Sequence, residues 1–562
     1  MTFTFISIEL QSLRIGASAN STFSGCLRSE SSRAFQLPTQ LPLASPSLPS
    51  SSVSSFALMA EEKKECAFDG EKAAMLVKEL RVQFNSGKTR GYDWRIAQLK
   101  SISKMVDERE KDIIQALQKD LCKPEFEAFV SEISMIKSSC KLAIQELRHW
   151  MKPEKVQTPL TTYPSSAEIV SEPLGVVLVI STWNYPFLLS LDPVIGAIAA
   201  GNAVVLKPSE VAPTTSSLLA NLLQEYVDNS SVKVIEGAVN ETSALLERKW
   251  DKIFYTVEGI VMTAAAKHLT PVILELGGKC PTIVDSNINL QVAARRIIAG
   301  KWACNNGQTC VAADYVITPK DFAPKLIDAL RHELEEFFGK DPMTSKDISS
   351  IVNEYHFIRL MKLMEEDGVY DKIVLGGQAD VNQLQVTVTH IHLSCSFLLT
   401  YFRKIAPTIL LDVPDDSHLM TEEIFGPLLP IVTVENVEQS FDLINSKPKP
   451  LAAYLFSNNE QLKTKFVNNV SAGGMLVNDT ILHLTVPALP FGGVGESGMG
   501  CYHGKFSFDS FSQKKSVLYR SFNADSSVRY PPYTSQKLNL LKALMSGSIF
   551  RVLLSLIGWS KD

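Results

Sequence analysis

Apolar and polar positions change rhythm three times along the chain. From about 65 to 150 the apolar residues recur three and four apart, from Ile96-Ala-Gln-Leu99 through Ile113-Ile114-Gln-Ala-Leu117, a spacing that predicts helix. A further helix is predicted from about Glu125 to Trp150, stopped by Pro153. Residues 155–172 alternate polar and apolar, as a half-exposed hairpin does. Buried-strand runs then alternate with helical segments. Strands are predicted at 174–180, 203–207, 232–235 and 253–256, and helices at 187–200, 214–226 and 260–268. This βαβαβ rhythm predicts an α/β fold with a parallel sheet covered on both faces, of the kind that binds dinucleotides at the carboxyl ends of its strands.

The two ends read differently. Residues 1–58 are rich in Ser, cluster Pro at 38, 42, 46 and 49, and carry Glu9 and Glu30 against Arg14, Arg28 and Arg33. That composition cannot bury enough surface to fold, and its profile is that of an organelle transit peptide, with a plain disordered tail as the alternative. Met59 offers a second start that would give a cytosolic form. The tail, 530–562, is apolar, but Lys542 and Arg551 interrupt it, which argues against a membrane span. Leu541, Leu544, Met545, Ile549, Val552, Leu553 and Leu556 fall at helical spacing, predicting an amphipathic helix docked on the protein's own core or on a membrane surface.

Length adds that 562 residues exceed one core, so more than one domain is expected. The net charge of −5 and the absence of a basic run give no reason to expect nucleic acid. Nine scattered cysteines without a CxxC pair or Cys/His spacing indicate neither a disulfide scaffold nor a metal site.

Four segments carry candidate chemistry. Cys310 sits in Gly307-Gln-Thr-Cys310, a turn rich in Asn and Gln between a helix ending near Asn305-Asn306 and a strand near Tyr315, a setting that presents a thiol. Cys304 is the rival, in what reads as a packed helix. Glu275, in Leu274-Glu275-Leu-Gly-Gly-Lys279, follows an apolar strand, where burial would raise its pKa and suit it to general-base work; the alternative is a surface pair with Lys279. Asn184, in Ser181-Thr-Trp-Asn184-Tyr-Pro186, precedes a helix that Pro186 can open, either as an N-cap or as an amide donor to an oxyanion. Lys207 and Glu210 end the next strand, as surface charges or as contacts to a nucleotide ribose.

In their order, these segments together with Glu423-Ile-Phe425-Gly-Pro and Leu489-Pro-Phe491-Gly-Gly-Val-Gly-Glu-Ser-Gly498 resemble the aldehyde dehydrogenase superfamily over about 70 to 520. The closing run, through His503-Gly-Lys505, is similar to the class 3 branch, whose members favour medium-chain and fatty aldehydes. With the leader, the chain resembles a plastid-targeted plant member. The resemblance implies a Cys310 nucleophile, an oxyanion held by the Asn184 amide and the Cys310 backbone N–H, and Glu275 as the base that activates water for thioester hydrolysis. Loss of one oxyanion donor costs about 3–4 kcal/mol of barrier. It also implies cofactor contacts from Ser181, Trp183, Lys207, Glu210, Glu423 and Phe425, and a homodimer. Glu210 would favour NAD by repelling a 2′-phosphate, with NADP also accepted.

The implied organisation is a dinucleotide-binding domain at 66–154 and 173–272, a catalytic domain at 273–500, and a bridging element formed by 155–172 and 507–522. Two segments depart from the family. Thr256-Val-Glu-Gly259-Ile260 is shorter than the family's glycine turn and places Glu258 where phosphates would lie. Val386 to Arg403 is an apolar insertion without turn chemistry, which reads as translated non-coding sequence; it contains His390 and His392. Hence a second reading, an inactive member that keeps the fold and binds cofactor poorly. A CoA-acylating enzyme is disfavoured by Glu275.

Overall fold

Val176–Ile180 and Ala203–Lys207 are buried along their whole lengths, so both faces of the sheet they form are covered. Their sheet has six strands in the order Gly498–Met499, Val272–Glu275, Lys252–Tyr255, Val176–Ile180, Ala203–Lys207, Val232–Val234. All neighbours are parallel except Gly498–Met499, which runs antiparallel to Leu274 and Glu275. Chain order reverses between Val176–Ile180 and Lys252–Tyr255, and the carboxyl ends of these strands open the crevice in which such sheets take ligands. The computed structural model describes residues 68–556, apart from residues 163, 257–259, 381–402 and 524.

A second sheet has seven strands in the order Ile373–Leu375, Thr408–Leu411, Leu428–Val434, Tyr315–Pro319, Pro281–Val284, Ala452–Phe456, Gly474–Val477, parallel but for the first pair. A third joins Glu154–Val156, Ser166–Pro173 and Ser512–Tyr519, all antiparallel.

The expected α/β architecture is therefore present, with local differences. The helical run expected across 96–117 divides at Arg109, whose backbone leaves the helical region, into Tyr92–Glu108 and Glu110–Leu121. Residues 125–150 are helical as expected, but Phe129–Ile133 is a π turn. Helix Val239–Leu246 was not expected. The helix before Cys310 ends at Lys301 rather than near Asn305, and a helix at Gly504–Ser510 precedes the last bridging strand. In the tail, Ser535–Met545 and Ile549–Leu556 are two helices. The first packs against the turn Leu160–Thr162 with Ala543 buried, while Leu538, Leu541, Met545, Phe550 and Leu553 are exposed. Both departures from the family fall largely outside the described residues, Glu258 and the two histidines included. Arg403 is described and ties the end of the inserted run to the fold, donating to the carbonyls of Ile351 and Val352 at 3.2 and 2.7 Å.

Candidate active site

Strand Val176–Ile180 delivers the segment 181–187 to the crevice. Pro186 does not open the helix directly; the helix begins at Leu188. Its first free N–H groups, those of Phe187 and Leu188, donate to Glu132 at 2.8 and 3.2 Å. Asn184 is thereby released from capping. Its Nδ2 donates to the carbonyl of Gln308 at 3.1 Å, while its buried Oδ1 has no protein partner.

The cysteine loop is built on unusual backbone. Asn305 and Asn306 adopt φ of 49° and 50°, and Gly307 has φ of 79°. A Cβ at Gly307 would lie 2.2 Å from the carbonyl oxygen of Gly426, so only glycine fits. Gln308 is buried and pins the loop, donating to the carbonyls of Asn305 and Ser350 at 3.0 and 2.9 Å and accepting from the N–H of Val352 at 3.0 Å. Cys310, partly buried, follows at the junction of two pockets.

One pocket, of about 670 Å³, carries most of the polar side chains and is lined by Asn184, Trp183, Glu275, Cys310, Glu423 and Phe425 among others. The other, of about 290 Å³, is mostly apolar, with Met135, Leu188, Ile481, Leu484, Phe491 and Cys310 in its wall. Cys304 also lines the apolar pocket; it lies beyond the helix end rather than inside a packed helix, and burial holds its thiol protonated.

Burial pushes the Cys310 thiol up, and the carboxyl groups of Glu423 and Glu275 push it further; the backbone N–H groups of Cys310 and Val311 work the other way. Glu275 ends strand Val272–Glu275, held by its antiparallel pairing with Gly498. Both of its carboxyl oxygens are buried without a protein partner, and desolvation holds the pKa well above the usual carboxylate range. It does not pair with Lys279, whose ammonium lies 2.6 Å from Asp314. Burial thus disfavours the charged form of both Cys310 and Glu275.

Phe425 adopts φ of 49° and meets Trp183 edge-on, with ring centroids 5.6 Å apart. Glu423 is raised to about 8, by burial first and then by Asp314, against the pull of the Gly278 N–H, Lys279 and Lys301. Lys207 and Glu210 pair with each other at the carboxyl end of Ala203–Lys207. Ser181, Lys207 and Glu210 line neither of these pockets, and the Ser181 hydroxyl is buried against that of Ser190 at 2.6 Å. His356, Arg359, Tyr355 and Thr256 line the polar pocket and were not singled out from sequence, since no local motif marks them. Among the described residues, no cluster of three or more His, Cys, Asp or Glu could hold a metal ion.

A sequence model of the aldehyde dehydrogenase family matches residues 67–517. The chain is 62% identical over 499 residues to aldehyde dehydrogenase family 3 member I1, chloroplastic, of Arabidopsis thaliana, covering 88% of this chain and 87% of that one. It is 45% identical over 462 residues to the dimeric NADP-preferring aldehyde dehydrogenase of Rattus norvegicus, covering 81% and 97% of the two chains. Among solved structures, the substrate-bound state of Staphylococcus aureus AldH superposes with a TM-score of 0.78 at 41% identity, covering 84% of this chain and 99% of that one.

Proposed function

The chain belongs to the aldehyde dehydrogenase family, and from that premise we propose that it oxidises medium- to long-chain aliphatic aldehydes to carboxylic acids through a covalent thioester on Cys310. The family activity, oxidation of an aldehyde with NAD or NADP, is its own. What carries the finer reading is the place of Cys310, where a polar pocket holding Asn184, Glu275 and Glu423 meets an apolar pocket suited to an alkyl chain.

The residues fit a dinucleotide. The polar pocket opens at the switch point of the six-stranded sheet, and its buried Glu275 and Asn184 Oδ1 are polar atoms that the protein itself does not satisfy. Glu423, Phe425 and Trp183 would hold the nicotinamide end, and Lys207 with Glu210 the adenosine ribose, with Glu210 favouring NAD. When bound, the dinucleotide supplies the hydride acceptor. Cys310 Sγ gives up its proton to solvent and bonds to the carbonyl carbon, whose C=O electron pair moves onto oxygen. Asn184 Nδ2–H and the Cys310 N–H hold the oxyanion. Cys310 then carries the acyl group, and Glu275 takes a proton from the water that releases it as the acid. In Glu275→Gln this last step should stall, and mass spectrometry after mixing with aldehyde and NAD should find the acyl group on Cys310. An acyl group on another residue, or none, would contradict these roles.

Further parts of the reading concern the whole chain. The division of labour is that of residues 66–154 and 173–272 for cofactor, 273–500 for catalysis, and 155–172 with 507–522 for pairing two copies into a homodimer. The leader, residues 1–58, directs import into the chloroplast, and initiation at Met59 gives a cytoplasmic form. No helix among the described residues is long and apolar enough to cross a membrane. The tail helices, with their exposed apolar residues, Lys537, Lys542 and Arg551, and no acidic residue between 531 and 556, suit peripheral contact with an anionic lipid surface. Nothing in the charge distribution calls for nucleic acid. The shortened run between Thr256 and Ile260 supports a second reading, a member impaired in cofactor binding; calorimetric titration with NAD and NADP separates the two.

A further inference from the structure

Residues 125–150 form one helical segment broken by the π turn Phe129–Ile133, whose closing bond runs from the N–H of Ser134 to the carbonyl of Phe129. On an unbroken α-helix, residues five apart point about 140° away from each other. The i→i+5 turn takes up one extra residue, and Glu127 and Glu132 both turn inward.

Each grips a different half of the site. Glu127 accepts from the N–H of Asn305 at 2.7 Å and from Ser349 Oγ at 3.1 Å, which fixes the cysteine loop. Glu132 accepts from the N–H groups of Phe187 and Leu188 and pairs with Lys123 Nζ at 2.6 Å, both side chains fully buried. Lys123 Nζ donates in turn to the carbonyl of Asn184 at 3.1 Å and stands 4.0 Å above the ring of Tyr185. Asn305 Nδ2 donates to the same carbonyl at 3.0 Å, closing the circuit between the two loops. None of the three charged residues lines either pocket. A buried ion pair seldom stabilises a fold more than apolar residues of the same volume would, so stability alone is a poor account of this one.

We propose that Lys123, Glu127 and Glu132 are positioning residues, and that the π turn is the device that lets one helix set the Asn184 amide against the Cys310 thiol. The inference rests on the thioester reading of Cys310. The test uses p-nitrophenyl acetate, whose carbonyl carbon bonds to Cys310 Sγ as p-nitrophenolate leaves, with no cofactor needed. The variant is Lys123→Met with Glu132→Gln, which removes both buried charges together. Nitrophenolate release should fall about 10²-fold, the cost of a misplaced catalytic group. In an Asn184→Ala background the same double change should cost little more. Alkylation of Cys310 by iodoacetamide, which forms no oxyanion, should keep its rate. Glu127→Gln, which retains an acceptor, should follow the same pattern and serves if the pair variant does not fold. Equal losses in both backgrounds, or alkylation falling in step with acylation, would overturn the proposal. A parent protein no faster than Cys310→Ala would overturn the thioester reading itself, and this inference with it.

Discussion

Glu275 shows how far one side chain's chemistry follows from burial. Burial disfavours its charged form, because no protein group hydrogen-bonds its carboxyl oxygens. Turnover should therefore climb with pH as Glu275 ionises, and Glu275→Gln should lose that rising limb. The same shift acts on stability. The folded chain binds this proton more tightly than the unfolded chain, so the stabilisation is full below the unfolded carboxyl pKa and is lost as pH rises through the raised folded value. Glu275→Gln should gain in Tm over the parent as buffer moves from about pH 5 to about pH 9; a constant difference would show that the carboxyl is charged at rest. At Asn184, substitution by Ala should lower the acylation rate by about 10²–10³-fold, the loss of one oxyanion donor, and an unchanged rate would remove it from the site. Residues such as Cys310, Glu275, Asn184 and Glu423 were legible because each sits in a short run of its own. The pairing of the Ser181 hydroxyl was not legible, since its neighbour in space, Ser190, lies inside a helix that the sequence marks only as apolar. Lys123, Glu127 and Glu132 were missed because their partners lie between 9 and 222 residues away.

At the scale of elements, the short strand Gly498–Met499 pairs with the end of the strand that carries Glu275. Gly498 has φ of 147°, and a Cβ there would lie 2.2 Å from the carbonyl oxygen of Leu274, the residue beside Glu275. Gly498→Ala should cost about 1–3 kcal/mol, the range for backbone strain, and slow deacylation more than acylation, which a burst followed by a low steady rate would reveal. A uniform loss of both phases would place the strand's role elsewhere. Glu132→Ala, by leaving the Lys123 ammonium buried and alone, should destabilise by about 3–5 kcal/mol in chemical denaturation. The strand–helix alternation from 174 to 268 was readable because parallel strands buried on both faces are continuous apolar runs. The break at Arg109 and the π turn were not, because each depends on contacts that hydrophobic spacing does not record.

For the whole molecule, the tail and the crevice pose separate questions. A protein ending at 530 should stay in the supernatant with anionic vesicles that sediment the parent, while keeping its turnover of a soluble aldehyde; equal sedimentation of the two would refute the lipid contact. The crevice decides the rest. Its strands, its cysteine loop and Glu275 line it, and the shortened run between Thr256 and Ile260 is the feature that bears on whether it holds a cofactor. The most direct measurement is formation of NADH and NADPH from a medium-chain aldehyde by the protein starting at Met59, beside its Cys310→Ala variant. The reduced cofactor should accumulate with the parent and not with the variant. A folded parent that forms neither, or a variant that matches it, would contradict the assignment of Cys310 as the nucleophile of a working dehydrogenase.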